Sequence, residues 1–287
     1  MPPTWLINGT KQPQLPADNR ALAYGDGLFE TMRAIDGQIP LWKRHRTRLL
    51  HGCERLALDP DIDQIEKNLA QAKHLADNEQ AVIKLILCRR GPATGYAPTS
   101  RAHETYIRIA ALDMPPAAQS DPTQAGDAPP GLIARLCTQR LATQPALAGI
   151  KHLNRLEQVL AARELHPGED EGILLDAEGR VAEAISSNLI GVIEGRHIFP
   201  QSSAAGVRGV MQALVHDYLN QTGQQTAIEP LDLPRLQQCE ELLACNAVRG
   251  IRNIARIGDL WQSRTQQAGP ALRTMLRKRV SSGFFSY

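Results

Sequence analysis

The chain has 287 residues, 43% of them apolar and 22% charged, with 32 Lys and Arg against 30 Asp and Glu. This is globular composition, enough chain for one large or two moderate domains, and it excludes a disordered polymer. The balanced charge offers no broad field for nucleic acid, and no apolar run reaches the roughly 18 residues that span a bilayer. Five scattered cysteines (Cys53, Cys88, Cys137, Cys239, Cys245) include no Cys-x-x-Cys pair, so neither a disulfide framework nor a metal site is expected. The N-terminus shows no basic segment leading into an apolar core, so no secretory signal is visible and a cytoplasmic location is expected.

Trp5-Leu6-Ile7 followed by Asn8-Gly9 predicts a strand entering a tight hairpin turn. Gly25-Asp26-Gly27 makes another turn, and residues 28–35 read as a strand ending at Asp36-Gly37. Alternation puts Phe29, Thr31 and Arg33 on one face, either a solvated face or the wall of a polar site. From Leu41 the period changes to three and four residues through His45, Leu49, Cys53 and Leu56, which predicts a helix with one apolar stripe. Arg48 lies at the margin of that stripe. It either snorkels to water or meets a phosphate or carboxylate. A second amphipathic helix is expected over residues 61–76.

Residues 81–88, Ala-Val-Ile-Lys-Leu-Ile-Leu-Cys, read as a central strand. It leads into a Gly- and Pro-punctuated loop carrying Arg89, Arg90 and Tyr96, and then into a strand over residues 105–112. Loops of this kind reach into sites from a rigid sheet. Residues 114–130 are rich in proline and poor in aliphatic bulk, which predicts a linker between a domain over 1–113 and a larger one over 131–287.

Beyond the linker, residues 131–137 read as a strand, followed by Ala146-Leu147-Ala148-Gly149-Ile150-Lys151. Small residues there allow close backbone approach, and the flanking Leu147 and Ile150 would leave the Lys151 ammonium poorly solvated, which makes an amine a usable nucleophile. The alternative is a solvated lysine at a strand-to-helix junction. A helix over residues 154–165 is expected to turn Leu156, Val159, Leu160 and Ala161 inward. Strands follow at 171–176, 180–185 and 189–193, the second carrying Glu183 among apolar neighbours. Gly206-Val207-Arg208-Gly209 opens a helix through Val210 and Met211, and the backbone N–H groups at such a terminus favour an anion. A strand over 240–245 ends at Asn246, and residues 268–279 form a basic amphipathic helix.

An isolated lysine, an in-strand glutamate, a helical arginine and a glycine-led helix N-terminus match what pyridoxal phosphate needs: a Schiff-base amine, a carboxylate for the pyridine nitrogen, and phosphate donors. The wording of the motifs carries this further. Tyr24-Gly25-Asp26-Gly27-Leu28-Phe29-Glu30-Thr31, His45-Arg46-Thr47-Arg48-Leu49, Lys151-His152-Leu153-Asn154, Glu183-Ala184-Ile185-Ser186-Ser187-Asn188-Leu189 and Gly206-Val207-Arg208-Gly209 resemble, in order and spacing, the fold-type IV pyridoxal phosphate enzymes. These are the branched-chain and D-amino-acid transaminases and aminodeoxychorismate lyase. Gly149 through Leu160, Leu6-Ile7-Asn8-Gly9 and Cys245-Asn246-Ala247 look closest to the lyase.

The resemblance implies an α+β fold, with a smaller N-terminal α/β domain and a larger C-terminal domain built on a β-barrel-like sheet. It also implies a homodimer, with the cofactor held between the domains. It assigns the Schiff base to Lys151, the pyridine-nitrogen carboxylate to Glu183, and phosphate contacts to Arg48, the N–H groups of Val210 and Met211, and Asn246. Arg90, Tyr96 and Thr31 fall in the substrate region, and Thr31 or Lys151 would protonate the leaving enolpyruvate. The implied reaction is conversion of 4-amino-4-deoxychorismate to 4-aminobenzoate and pyruvate. One position departs from the lyase pattern: Thr94 stands where an arginine is expected in the loop after the central strand. A transaminase would use the same lysine and glutamate, and a non-catalytic phosphate-binding protein would need only the arginine and the helix N-terminus.

Overall fold

The computed structural model describes residues 3–11, 14–76, 80–112, 131–201 and 204–281, so the linker expected at 114–130 lies outside the described residues. The chain divides into two compact units. One comprises Met1–Asp113 together with Ile150–Asn154, and the other comprises Met114–Gly149 with Arg155–Ser282. The five residues around Lys151 thus group with the N-terminal unit, where the sequence assigned all of 131–287 to the second.

The first unit contains β1 (Thr4–Ile7), β2 (Thr10–Lys11), α1 (Arg20–Tyr24), β3 (Gly27–Ala34), α2 (Trp42–Arg55), α3 (Ile62–Leu75), β4 (Ala81–Arg89) and β5 (His103–Ala111). Its antiparallel sheet runs β2-β1-β5-β4-β3, with the expected hairpin pairing Ile7 to Thr10 across Asn8-Gly9. In β3 the alternating residues Leu28, Glu30, Met32 and Ala34 are buried, whereas Phe29, Thr31 and Arg33 are half-buried. The buried row faces inward with Ile83, Leu85 and Leu87 of β4, and α2 packs on β3 as α3 packs on β5. Asp61 caps α3 by accepting from the Gln64 N–H at 3.0 Å.

The second unit contains β6 (Leu132–Leu141), α4 (Leu156–Ala162), β7 (Glu171–Asp176), β8 (Val181–Ala184), β9 (Asn188–Ile193), β10 (Arg196–Pro200), α5 (Val210–Gln221), β11 (Thr226–Glu229), α6 (Leu233–Gln238), β12 (Glu241–Asn246), β13 (Gly250–Ile257), β14 (Trp261–Gln262) and α7 (Ala268–Ser281). Its mixed sheet runs β11-β10-β9-β12-β13-β6-β7-β8, with β14 added to β13. The sheet curls towards closure: the Val181 N–H on edge strand β8 donates to the carbonyl of Leu231, just past the opposite edge strand, at 2.7 Å. Ile173, Leu189, Ile198, Leu242, Ala244, Ile254 and Trp261 form its main core.

Helix α4 corrects the sequence reading. It is shorter than expected, and Leu156, Val159 and Leu160 face out, 76%, 54% and 44% exposed, while Ala161 is fully buried against Cys137, Leu141 and Leu174. The physical reason lies in its flanks. A register shift between Leu136 and Arg140 leaves β6 backbone N–H groups without strand partners. Glu164 accepts from Thr138 and Gln139 at 2.6 and 2.8 Å, and Glu157 accepts from Ala142 at 2.8 Å. These carboxylates orient the helix, and its apolar stripe does not.

Candidate functional site

In the first unit the lysine segment lies alongside β3. The Phe29 N–H donates to the Lys151 carbonyl at 2.8 Å, and the Leu153 N–H donates to the Gly27 carbonyl at 3.0 Å. Ile150 is fully buried and Lys151 is half-buried. Its Nζ sits 4.4 Å from the centroid of the Phe29 ring, and Lys84, on the face of the sheet that carries Phe29, brings its Nζ to 4.9 Å from that centroid. Thr31 is half-buried on the same face and stands opposite Lys84 in the β3–β4 register, with Arg108 opposite Lys84 on β5. Burial and the Arg108 charge both push the Lys84 pKa down. This face is more basic and less solvated than alternation alone suggested.

On the opposite, buried face of β3, Glu30 meets α2. Both side chains of the Glu30–His45 pair are 1% exposed. Arg48 donates from Nε to Glu30 Oε1 at 2.8 Å and from Nη2 to Oε2, and His45 Nδ1–H donates to Oε2 at 2.6 Å. Burial would raise the Glu30 pKa, but the charges and hydrogen bonds of Arg48 and His45 outweigh it and hold the carboxyl at about 2. Burial holds His45 below its usual value against the pull of Glu30, with the Arg48 and Lys151 charges acting in the same direction as burial. The sequence marked Arg48 as a phosphate ligand. Two of its five N–H donors go to Glu30, a partner the sequence did not name.

The loop after β4 is fastened to α1. Arg20 donates to the carbonyls of Gly95 and Tyr96 at 3.1 and 2.9 Å, and the Tyr24 hydroxyl donates to the Ala93 carbonyl at 2.7 Å. Asp26 Oδ2 accepts from Arg20 Nε at 2.8 Å and from Arg89 Nε at 2.9 Å. Tyr96 is 87% exposed, with its ring tilted against Tyr24, and Arg90 pairs loosely with Glu104 at 3.8 Å. Thr94 therefore sits in a loop of fixed backbone whose tip is open to solvent.

The second unit carries a separate arrangement around Glu183, buried on β8. Its Oε2 accepts from the Val207 N–H at 2.8 Å, and its Oε1 accepts from Gln158 Nε2 of α4 at 3.2 Å. The turn that brings Val207 there needs its glycines. Gly206 has φ +72°, and a Cβ on it would lie 3.1 Å from Glu183 Oε2; one on Gly209 would lie 1.9 Å from Asn188 Oδ1. Asn188 donates to the Val207 carbonyl at 2.8 Å. Gly209 is the N-cap of α5 and supplies no side-chain cap, so the first-turn N–H groups of Val210 and Met211 receive no bond from their own cap.

Asn246 is committed elsewhere in this unit. It donates to Ser187 Oγ and to the Ser186 carbonyl, both at 3.2 Å, and accepts from the N–H groups of Val248 and Arg249 at 3.0 and 2.7 Å. Both serine hydroxyls donate to buried Glu171 Oε2, at 2.7 and 3.1 Å. Asn246 thus ties its own loop to the Ser186-Ser187 turn. Sequence reasoning passed over Glu30, Gln158 and Glu171. For Glu30 and Glu171 an acidic side chain in an otherwise buried row was the available signal, and for Gln158, off the apolar stripe of its helix, there was none. For the Val207 N–H, a backbone group, there was none. Among the described residues, no group of three or more His, Cys, Asp or Glu could hold a metal ion, and no helix is long and apolar enough to cross a membrane.

Residues 27–257 match the model of the family described as amino-transferase class IV. The chain is 31% identical over 256 residues to an aminodeoxychorismate lyase of Vibrio harveyi, covering 88% of this chain and 90% of that one. The crystal structure of a 4-amino-4-deoxychorismate lyase from Pseudomonas aeruginosa superposes with a TM-score of 0.84 at 33% identity, covering 96% of this chain and 98% of the other. A protein of Mycobacterium tuberculosis named as a bifunctional aminodeoxychorismate lyase and D-amino acid transaminase is 28% identical over 193 residues, 64% of this chain and 62% of that one.

Proposed function

The chain belongs to the class IV aminotransferase family, and from that premise we propose that it is a pyridoxal phosphate-dependent lyase converting 4-amino-4-deoxychorismate to 4-aminobenzoate and pyruvate. The observation that carries this reading is likeness to two lyases at 31% and 33% identity along nearly the whole chain. The residues present fit the cofactor. Glu183 is a buried carboxylate with both oxygens oriented, suited to a protonated pyridine nitrogen, and the uncapped N-terminus of α5 suits a phosphate. When bound, the cofactor supplies an electron-withdrawing ring that takes up negative charge from the substrate carbon bearing the amine.

The chain's own residues then have these tasks. Lys151 would anchor the cofactor through its amine and, once the substrate amine has displaced it, would remove the proton from that carbon. Glu183 keeps the ring nitrogen protonated. The N–H groups of Val210 and Met211 hold the phosphate, together with the Arg48 guanidinium. The ether C–O bond breaks, the enolpyruvate takes up a proton from Lys151 or Thr31 and leaves as pyruvate, and the ring becomes aromatic. Arg90 and Tyr96 belong to the substrate region in this reading. The enzyme acts as a cytoplasmic homodimer, and the exposed Leu156, Val159 and Leu160 of α4 are surface that a second copy would cover.

The test is a coupled assay on the cofactor-loaded protein. Pyruvate and 4-aminobenzoate should appear in equal amounts from 4-amino-4-deoxychorismate. A transaminase reading has support in the bifunctional relative. It would replace the lyase if no pyruvate appeared while an amino acid converted the cofactor stoichiometrically to its amine form.

A further inference from the structure

Helix α4 places its residues against the hydrophobic pattern. Three aliphatic side chains point to solvent, while Gln158 is 9% exposed. Packing does not explain this choice. A buried amide gains nothing from an apolar setting, and Gln158 Oε1 has no hydrogen-bond partner among the described residues. Glu183 explains it. An ionised carboxylate only accepts, so the amide must present Nε2 to Glu183 Oε1, which leaves Oε1 turned away. The helix is also held in rotation by fixed points on either side of Gln158. Glu157 receives the Ala142 N–H, Glu164 receives those of Thr138 and Gln139, and Ala161 is seated in the core. A local rule broken at a site so firmly braced marks a functional constraint.

We propose that Gln158 is a positioning residue for Glu183. Its amide fixes the direction of the carboxylate and keeps it ionised, so that the proton shared with the cofactor's ring nitrogen stays on the nitrogen. The proposal rests on the pyridine-nitrogen role given to Glu183 above. The Val207 N–H orients one oxygen and Gln158 orients the other. Without Gln158, one buried oxygen loses a charge-assisted hydrogen bond and the carboxylate becomes more basic. The proton then moves towards Glu183, and the ring withdraws electrons less strongly. The lysine–cofactor linkage consequently holds its own proton to higher pH.

The experiment is a pH titration of the visible absorption of the cofactor-loaded protein, for wild type, Gln158→Met and Glu183→Gln. Methionine keeps the length and volume but has no donor. The midpoint for Gln158→Met should move up by about one unit, with cofactor affinity reduced about tenfold, while far-UV circular dichroism stays that of wild type. A wild-type midpoint in Gln158→Met, when Glu183→Gln does change the spectrum, overturns the proposal and leaves the reading of Glu183 standing. A wild-type spectrum in Glu183→Gln overturns both. Should Gln158→Met fail to fold, Gln158→Glu decides: it keeps the polar helix face but sets two carboxylates on one proton, so its midpoint must rise further, and an unmoved midpoint refutes the role.

Discussion

Replacing Glu30 by Gln tests the most heavily charged buried cluster in the first unit. The carboxyl falls from 4.5 to about 2 on folding, which corresponds to about 3 kcal/mol of stability. Between those two values the unfolded chain binds a proton that the folded chain does not, so acid favours unfolding. The contribution is complete above 4.5 and is lost as pH falls towards about 2. The amide cannot reproduce the site. One of its ends is a donor facing Arg48 and His45, which leaves the Arg48 guanidinium, with its side chain 11% exposed, beside a neutral group. Breaking a buried pair in this way costs about 3–5 kcal/mol. The assay is urea unfolding of both proteins from pH 7 to pH 3. Glu30→Gln should be less stable at neutral pH by that amount, and its acid limb should be flatter. His45 acts in a higher window, because burial holds its folded pKa below 6.5, so stability from that group is lost as pH falls through 6.5, and the variant keeps this limb. Parallel pH profiles for the two proteins would refute the linkage.

Lys151→Ala protein should show no cofactor trapped by borohydride in mass spectra; a label on any other lysine would sink the anchor assignment. Gly206→Ala forces a side chain into the left-handed region at φ +72° and crowds Glu183 Oε2. It should lower stability by about 1 kcal/mol in urea unfolding and weaken cofactor binding, and unchanged affinity would count against the Glu183 turn as part of the site. Leu156→Glu puts a charge where a 76% exposed leucine stands. In sedimentation equilibrium it should shift a wild-type dimer to monomer, and a monomeric wild type would dismiss the dimer outright.

The strongly patterned elements were legible from the sequence, and the rest failed for identifiable reasons. The apolar run of β4 and the three-and-four spacing of α2 appear where expected, because each buries a continuous face. Helix α4 misled because spacing reports which residues could share a face, not which way that face turns. Carboxylates bonded to a bulged strand decided the turn. Glu30 was passed over because its partners lie 15 and 18 residues away on another element, and alternation along β3 cannot reveal a tertiary ion pair. Strands β10, β11 and β14 are short and owe their existence to neighbours already in the sheet.

Glu30 and Glu183 look alike in sequence, each a single acid in an apolar strand, and the structure separates them by what donates to them. At Glu30 the donors are the Arg48 guanidinium and an imidazole, so the charge is matched within the protein, and the cluster is built for permanence. At Glu183 the Gln158 amide and the Val207 backbone N–H are both neutral donors. Neutral donors fix the direction of a carboxylate without cancelling its charge. A motif that names an acid therefore says little about its role until its donors are known. By that criterion Glu30 is suited to hold α2 against β3.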